Sequence, residues 1–116
     1  IARRVTLLNY DKLGLNFEVV ANVKLQLPSR ENLEKFEQAV RKWPECIECM
    51  TVTGAVDYVM RIVTTDMHAY DNFLRDKILA LGLVSDIQSR IIVNIAKRTT
   101  AAPLGLISPY VPTQDR

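Results

Sequence analysis

The chain has 116 residues, of which 48% are apolar and 24% are charged, and its net charge is +2. This length and composition suit one folded domain and argue against a disordered chain. No apolar run approaches the roughly 18 residues that span a membrane. The 15 basic residues are interleaved with 13 acidic ones, without the basic stripe that is typical of a DNA-binding surface.

The first 14 residues contain a short strand candidate followed by a loop. The basic pair Arg3-Arg4 is not followed by the apolar core and small-residue cleavage site of a signal peptide, so we expect a cytoplasmic protein. The chain begins with Ile1 rather than methionine, which suggests a fragment or a processed form.

Residues 15–27 alternate between apolar and polar side chains, the pattern of a β-strand with one buried face. Pro28 ends this strand, and Ser29 is a candidate N-cap for a helix whose apolar residues recur at helical spacing as far as Trp43. Pro44 stops the helix, because the residue before a proline is pushed out of the helical region.

Two strands follow, at about 45–53 and 57–64, and the short link that begins at Gly54 suits an antiparallel hairpin. Asp66 is a good N-cap for a second helix, and Gly82 fits the position just after the end of that helix. A last strand is predicted at about 86–97, where apolar and polar residues alternate again.

The predicted order over residues 15–98 is therefore β-α-β-β-α-β. This is the ferredoxin-like arrangement of the α+β class, a four-stranded antiparallel sheet with both helices on one face. The other face carries Val20, Ile92 and Ala96 among polar residues. An uncovered, partly apolar sheet face indicates a partner, so we expect two copies to dimerise through their sheets. Residues 99–116 contain several prolines and are expected to form a tail.

The two cysteines, Cys46 and Cys49, have the CxxC spacing of redox and zinc motifs. The only further candidate ligand is the single histidine, His68, which leaves too few ligands for a structural zinc site. Residues three apart on a regular strand point to opposite faces, so we expect the sulfurs to diverge. We interpret both as reduced structural thiols and expect neither a metal nor a cofactor.

The segment from Thr53 to Asp57 is the one stretch that suggests a ligand. Gly54 permits unusual backbone angles, and a turn there can present N–H groups to a carboxylate. Asp57 can accept hydrogen bonds from an ammonium group, and a free amino acid needs both kinds of partner. The alternative is a hairpin in which Asp57 only satisfies turn amides. The sequence contains no phosphate-binding glycine loop and no carboxylates paired for acid–base work, so we expect no enzyme.

The order and spacing of four segments are characteristic: Pro44–Cys49, Val52–Tyr58, Asp66–Tyr70 and Lys97–Thr100. Together they resemble the effector domain of the Lrp/AsnC family, the feast/famine transcription regulators of bacteria and archaea. The resemblance runs from Ile1 to about Leu104. It implies that residues 1–14 are the hinge strand and loop that follow a helix-turn-helix DNA-binding domain, which this chain does not contain.

The resemblance also implies how such a domain works. Dimers would associate into tetramers or octamers, and an amino acid would bind at the interface between dimers. Effector binding would change the higher oligomer and thereby the spacing of the attached DNA-binding domains, so DNA would be contacted only through the missing domain. A ligand has this effect only if it binds one assembly more tightly than the other.

Carried over by position, the family's Thr-Gly-x-x-Asp motif falls on Thr53, Gly54 and Asp57, with Ala55 and Val56 as the variable pair. Two family threonines early in the last strand, which also face the effector, fall on Ile87 and Ser89. Ser89 keeps a hydroxyl group but Ile87 does not, which favours an effector with a more apolar side chain.

Two other functions are alternatives. A small ferredoxin-like enzyme of the cofactor-independent monooxygenase type would share the sheet-to-sheet dimer. Such an enzyme needs a polar internal cavity with His, Asn or Trp, whereas the one tryptophan here, Trp43, lies on the apolar side of its helix and is expected in the core. A purely structural assembly domain would differ from the effector domain only in binding nothing.

Overall fold

The computed structural model describes residues 13–106. Its main elements are β1 (Phe17–Leu25), α1 (Arg30–Val40), β2 (Cys46–Thr51), β3 (Tyr58–Thr64), α2 (Met67–Phe73) and β4 (Val84–Ile91). The strands form one antiparallel sheet in the order β2-β3-β1-β4. The predicted ferredoxin-like fold is confirmed. The predicted strand within residues 1–14 and most of the predicted tail lie outside the described residues.

The centre of the sheet is β1, which pairs with β3 on one side and β4 on the other. The alternating sequence of β1 suits this position. Val19, Ala21 and Val23 are all 0% exposed on one face of the sheet, and the residues between them point to the opposite face. A fully buried valine side chain stabilises a fold by about 1.5–3 kcal/mol relative to an exposed one. Both helices pack on this buried side, since one apolar cluster joins Phe36 of α1 and Tyr70 of α2 to it.

Helix α1 begins as predicted, because the Ser29 hydroxyl accepts a hydrogen bond from the Asn32 amide at 3.2 Å. The helix ends at Val40, before the predicted stop at Pro44. In between, the ring of Trp43 packs edge-on against Phe36, with the ring centres 6.5 Å apart. It also packs edge-on against Phe73 of α2, at 5.5 Å. The tryptophan therefore ties the two helices together, as its predicted place in the core requires.

Helix α2 begins at the predicted cap, where an Asp66 carboxylate oxygen accepts from the Ala69 amide at 2.8 Å. After Phe73 the chain continues through a π turn (Leu74–Ile78) and a short 3-10 turn (Leu79–Leu81). It stops at Gly82, whose φ of 72° lies in the left-handed region that glycine adopts without strain. The sequence predicted one continuous helix here, and periodicity alone does not reveal a change of helix type.

The last strand is shorter than predicted. The expectation was about 86–97, but β4 ends at Ile91. The physical reason is the length of β1: Ile91 pairs with Val19, and the Ile92 amide donates to the Glu18 carbonyl near the first residue of β1. Only Phe17 of β1 lies beyond that point, and Val93 is 94% exposed although it continues the alternating pattern of the sequence.

The face of the sheet away from the helices is called the open face here. Its apolar members on or next to the strands are Val20, Met50, Val59, Val63 and Ile92. They surround a small charged group. The guanidinium of Arg61 lies 3.2 Å from Glu18 and 3.3 Å from Glu48, and Arg98 reaches Glu18 at 3.3 Å. The predicted positions of Val20 and Ile92 agree with this face, whereas Ala96 lies beyond β4 and is exposed.

Candidate functional site

The loop between β2 and β3 is held at its base by backbone hydrogen bonds. The Val52 amide donates to the Asp57 carbonyl at 3.2 Å, and the Asp57 amide donates to the Val23 carbonyl of β1 at 2.9 Å. Gly54, at the tip, has a φ of 113°, a conformation that L side chains rarely adopt. The residues at the tip are exposed, whereas Val56 and Asp57 are half-buried.

The side chain of Asp57 also anchors the loop. One carboxylate oxygen, Oδ2, accepts from the Leu25 amide at 2.8 Å. Leu25 is 1% exposed and ends β1, where the pairing with β4 is interrupted between Lys24 and Leu25, so its amide needs a partner. The other oxygen, Oδ1, accepts no hydrogen bond from residues 13–106. Asp57 therefore satisfies a backbone donor of β1, and its second oxygen has no partner within residues 13–106.

The backbone of the loop tip presents donors without acceptors. The amides of residues 53–56 make no hydrogen bond to any group in the described part of the chain. Successive amides in a bend around a glycine form a concave patch of positive potential that suits an anion. Amides without an acceptor in the described part of the chain, together with a carboxylate oxygen that accepts from none of it, are the two kinds of group that the carboxylate and ammonium of an amino acid need.

The loop is also fixed from the helix side. Tyr58 follows Asp57 and donates its hydroxyl hydrogen bond to the Glu37 carboxylate of α1 at 2.5 Å. Its ring packs 4.8 Å from that of Phe36. Burial raises the pKa of the Tyr58 hydroxyl, and the hydrogen bond to Glu37 adds to this, so the group remains a donor at neutral pH. This contact was not predictable from the sequence, because Glu37 looks like an ordinary exposed helix residue.

Ile87 and Ser89 lie on the helix-covered side of β4, away from the loop. Ile87 pairs with Val23, whose other neighbour across the sheet is Tyr58, so one strand separates Ile87 from the end of the loop. Ile87 is half-buried against the core. Ser89 lies two residues further along β4, and its hydroxyl contacts that of Tyr70 in α2. Within one chain, the structure therefore brings Thr53–Asp57 together but leaves Ser89 outside this group.

The two cysteines differ from the prediction. Cys46 is opposite Ile62 and Cys49 is opposite Met60, two residues that face the core, so both cysteines lie on the same face of the sheet. The expectation that the sulfurs diverge is wrong. The pairing of β2 with β3 shifts between Cys46 and Glu48. Such a bulge inserts one extra residue into the strand, so two residues three apart can point to the same face. Both thiols are free and pack against the core.

The cysteines are expected to react slowly. Burial raises the pKa of Cys46 from 9.0 to about 11, and burial together with the nearby Cys46 raises that of Cys49 to about 12. Because the thiolate is the nucleophile, alkylation by iodoacetamide at pH 8 should be about a hundredfold slower in the folded chain than in urea. The rate should rise with pH towards 11. Equal rates for folded and unfolded protein, followed by mass spectrometry, would contradict this.

Residues 13–106 contain no group of three or more His, Cys, Asp or Glu side chains placed to hold a metal ion. No helix in the same range is both long and apolar enough to cross a membrane.

The fold defines a ferredoxin-like α+β domain, and comparison with known proteins defines its family. The family model described as the Lrp/AsnC ligand binding domain matches residues 18–102. The chain therefore belongs to the Lrp/AsnC family of transcription regulators and represents the ligand-binding domain of that family.

Curated relatives agree with this assignment. The chain is 32% identical over 104 residues to the transcriptional regulator AzlB of Bacillus subtilis, covering 90% of this chain and 66% of the relative. It is 37% identical over 92 residues to the proline dehydrogenase transcriptional activator of Rhizobium radiobacter, covering 79% and 59%. The chain thus spans less than two thirds of the length of these relatives.

Solved structures show the same fold. The transcriptional regulator NMB0573 from Neisseria meningitidis, in complex with L-Met, superposes with a TM-score of 0.85 at 31% identity. The match covers 92% of this chain and 69% of that one. Escherichia coli AsnC superposes with a TM-score of 0.77 at 15% identity over 87% of this chain and 66% of its own, which supports the fold alone.

Proposed function

We propose that this domain senses a free amino acid and passes the binding event to a DNA-binding segment outside this chain. The observation that carries the proposal is the loop Thr53–Asp57, whose tip amides and Asp57 Oδ1 have no hydrogen-bond partner in the part of the chain that the structure describes. The amides would hold the α-carboxylate of the amino acid, and Asp57 would accept from the α-ammonium group. Because the loop is anchored to β1 and α1, these groups are positioned before the effector arrives.

The complete site would form between copies of the chain. The loop is exposed and lies apart from Ser89 in a single chain, so one copy offers only part of an enclosure for a small molecule. In the proposed assembly, the loop of one copy faces the β4 surface of another, which adds Ile87 and Ser89. This agrees with the family expectation of an effector bound between dimers.

The effector we propose is L-methionine or another amino acid with an apolar side chain. The NMB0573 regulator, at 31% identity, was crystallised as a complex with L-Met. Ile87 supports the same class, because an isoleucine side chain offers apolar contact and no hydrogen bond.

The open face is proposed as the dimer interface. Its apolar residues, with Met50 42% exposed, form a surface that a second copy would cover. A two-fold axis brings the same surface of both copies together. The charged group around Arg61 lies in that surface already paired with Glu18 and Glu48, so its burial leaves no unpartnered charge among these three.

The regulatory step would be a shift between assemblies. An amino acid that binds the higher oligomer more tightly than the dimer stabilises that oligomer, and the geometry of the attached DNA-binding segments changes with it. About a third or more of each relative's length lies outside the region that this chain matches, which is enough sequence for such a segment. A regulator of this kind acts on DNA in the cytoplasm.

A thermal-shift screen of the chain against the twenty amino acids tests the proposal. At one hundred times Kd, binding adds about 2.7 kcal/mol of stability, which should raise Tm by roughly 10 °C in a domain of this size. We expect the largest shift with L-methionine or a related apolar amino acid. A flat response to all twenty would contradict amino-acid sensing and favour a purely structural assembly domain.

A further inference from the structure

Two hydroxyl groups meet where α2 packs on the edge of the sheet. The hydroxyl of Tyr70 is hydrogen-bonded to that of Ser89 in β4. Tyr70 is 2% exposed, and its ring packs near those of Phe17 and Phe73, each with its ring centre 6.4 Å away. The tyrosine therefore cannot turn its hydroxyl elsewhere. Ser89, by contrast, lies on the edge strand and is exposed.

Which of the two hydroxyl groups donates follows from the need of the buried Tyr70 proton for an acceptor. Burial raises the pKa of Tyr70, so its hydroxyl keeps its proton. Among the described residues, Ser89 Oγ is the only acceptor for that proton. If Ser89 donated instead, Tyr70 would hold a buried donor without a partner, which is costly. Tyr70 is therefore the donor and Ser89 the acceptor, and the proton of Ser89 remains free for a third group on the exposed side.

We propose that Tyr70 is a positioning residue for the effector, because it fixes Ser89 as a hydrogen-bond donor that points out of the domain. The group that Ser89 would contact is an oxygen of the effector, and every amino acid carries such oxygens in its α-carboxylate. This inference rests on the proposed function, since it assigns a role within the same site. It adds Tyr70, a buried residue that does not contact the effector but determines that Ser89, which does, acts as a hydrogen-bond donor.

Calorimetric titration of the chain with L-methionine, or with whichever amino acid gives the largest thermal shift, tests the inference. Ser89→Ala should weaken binding about tenfold, because a hydrogen bond to a charged group is lost. Tyr70→Phe should weaken it about three- to tenfold, because Ser89 is then free to rotate. The double variant should bind no more weakly than Ser89→Ala alone, since Tyr70 acts only through Ser89.

Thr64→Val provides a matched control. It removes another buried hydroxyl, which donates to the Asp66 carbonyl at 3.1 Å just before α2, and should leave the affinity unchanged. Wild-type affinity in Tyr70→Phe, or losses that add in the double variant, would overturn the positioning role while leaving amino-acid sensing intact. If the wild-type chain binds none of the twenty amino acids, the proposed function fails and this inference fails with it.

Discussion

Replacing Asp57 with alanine should lower the free energy of unfolding by about 1–3 kcal/mol, because the buried Leu25 amide then loses its acceptor. In a domain of this size that corresponds to a Tm lower by at least about 4 °C in thermal denaturation. The same variant should also lose amino-acid binding, because the proposed acceptor for the effector's ammonium group is gone. An unchanged Tm would contradict the anchoring role of this carboxylate.

Asp57→Asn separates the two roles. The amide oxygen of asparagine can still accept from Leu25, so the Tm should stay close to that of the wild type. The other end of the side chain then presents an NH₂ donor where the effector's ammonium would lie. Calorimetry should show binding of L-methionine at least about tenfold weaker, the loss expected for a charge-assisted hydrogen bond. Wild-type affinity in this variant would remove Asp57 from the effector site.

Val59→Asp on the open face should convert the proposed dimer to a monomer at concentrations where the wild type is paired. Val59 lies between Met50 and Asn22 on the sheet, away from the helices. A two-fold interface would bury the new carboxylate twice, once from each copy, without a partner. We expect dissociation of the dimer to be at least about a hundredfold more favourable, about 2.7 kcal/mol, measured by sedimentation velocity over a dilution series.

The matched control for that variant places the same residue on the opposite side of the domain. Gln38 is exposed on α1, so Gln38→Asp should leave the sedimentation behaviour unchanged. If Val59→Asp and Gln38→Asp sediment alike as dimers, the interface lies elsewhere. If both become monomers, the effect is a general one of added negative charge.

Local signals in the sequence were enough to predict the order of the elements. The alternation of β1 reflects its burial on one face, and Ser29 and Asp66 each make the capping hydrogen bond that their residue type suggests. Gly82 adopts the backbone angle for which glycine is preferred after a helix. These features depend on residues within a few positions of each other, so the chain itself specifies them.

Features that depend on pairing between distant residues were not predictable in this way. The end of β4 is set by where β1 begins, about seventy residues earlier in the chain. The shared face of the two cysteines depends on a shift in the pairing of β2 with β3. A strand's own pattern cannot reveal either, because an alternating sequence remains alternating whether or not a partner is present.

The candidate site also combines features set by neighbouring residues with features set by distant ones. The sequence by itself determined the loop Thr53–Asp57, since a glycine beside an acidic residue between two strands has a local chemical meaning. Only the tertiary structure decided that Asp57 holds the Leu25 amide and that Tyr70 holds Ser89. Those partners are 32 and 19 residues away in the chain. Hydrogen bonds of this kind exist only once the sheet and helices have packed, because packing fixes which buried donor lacks an acceptor.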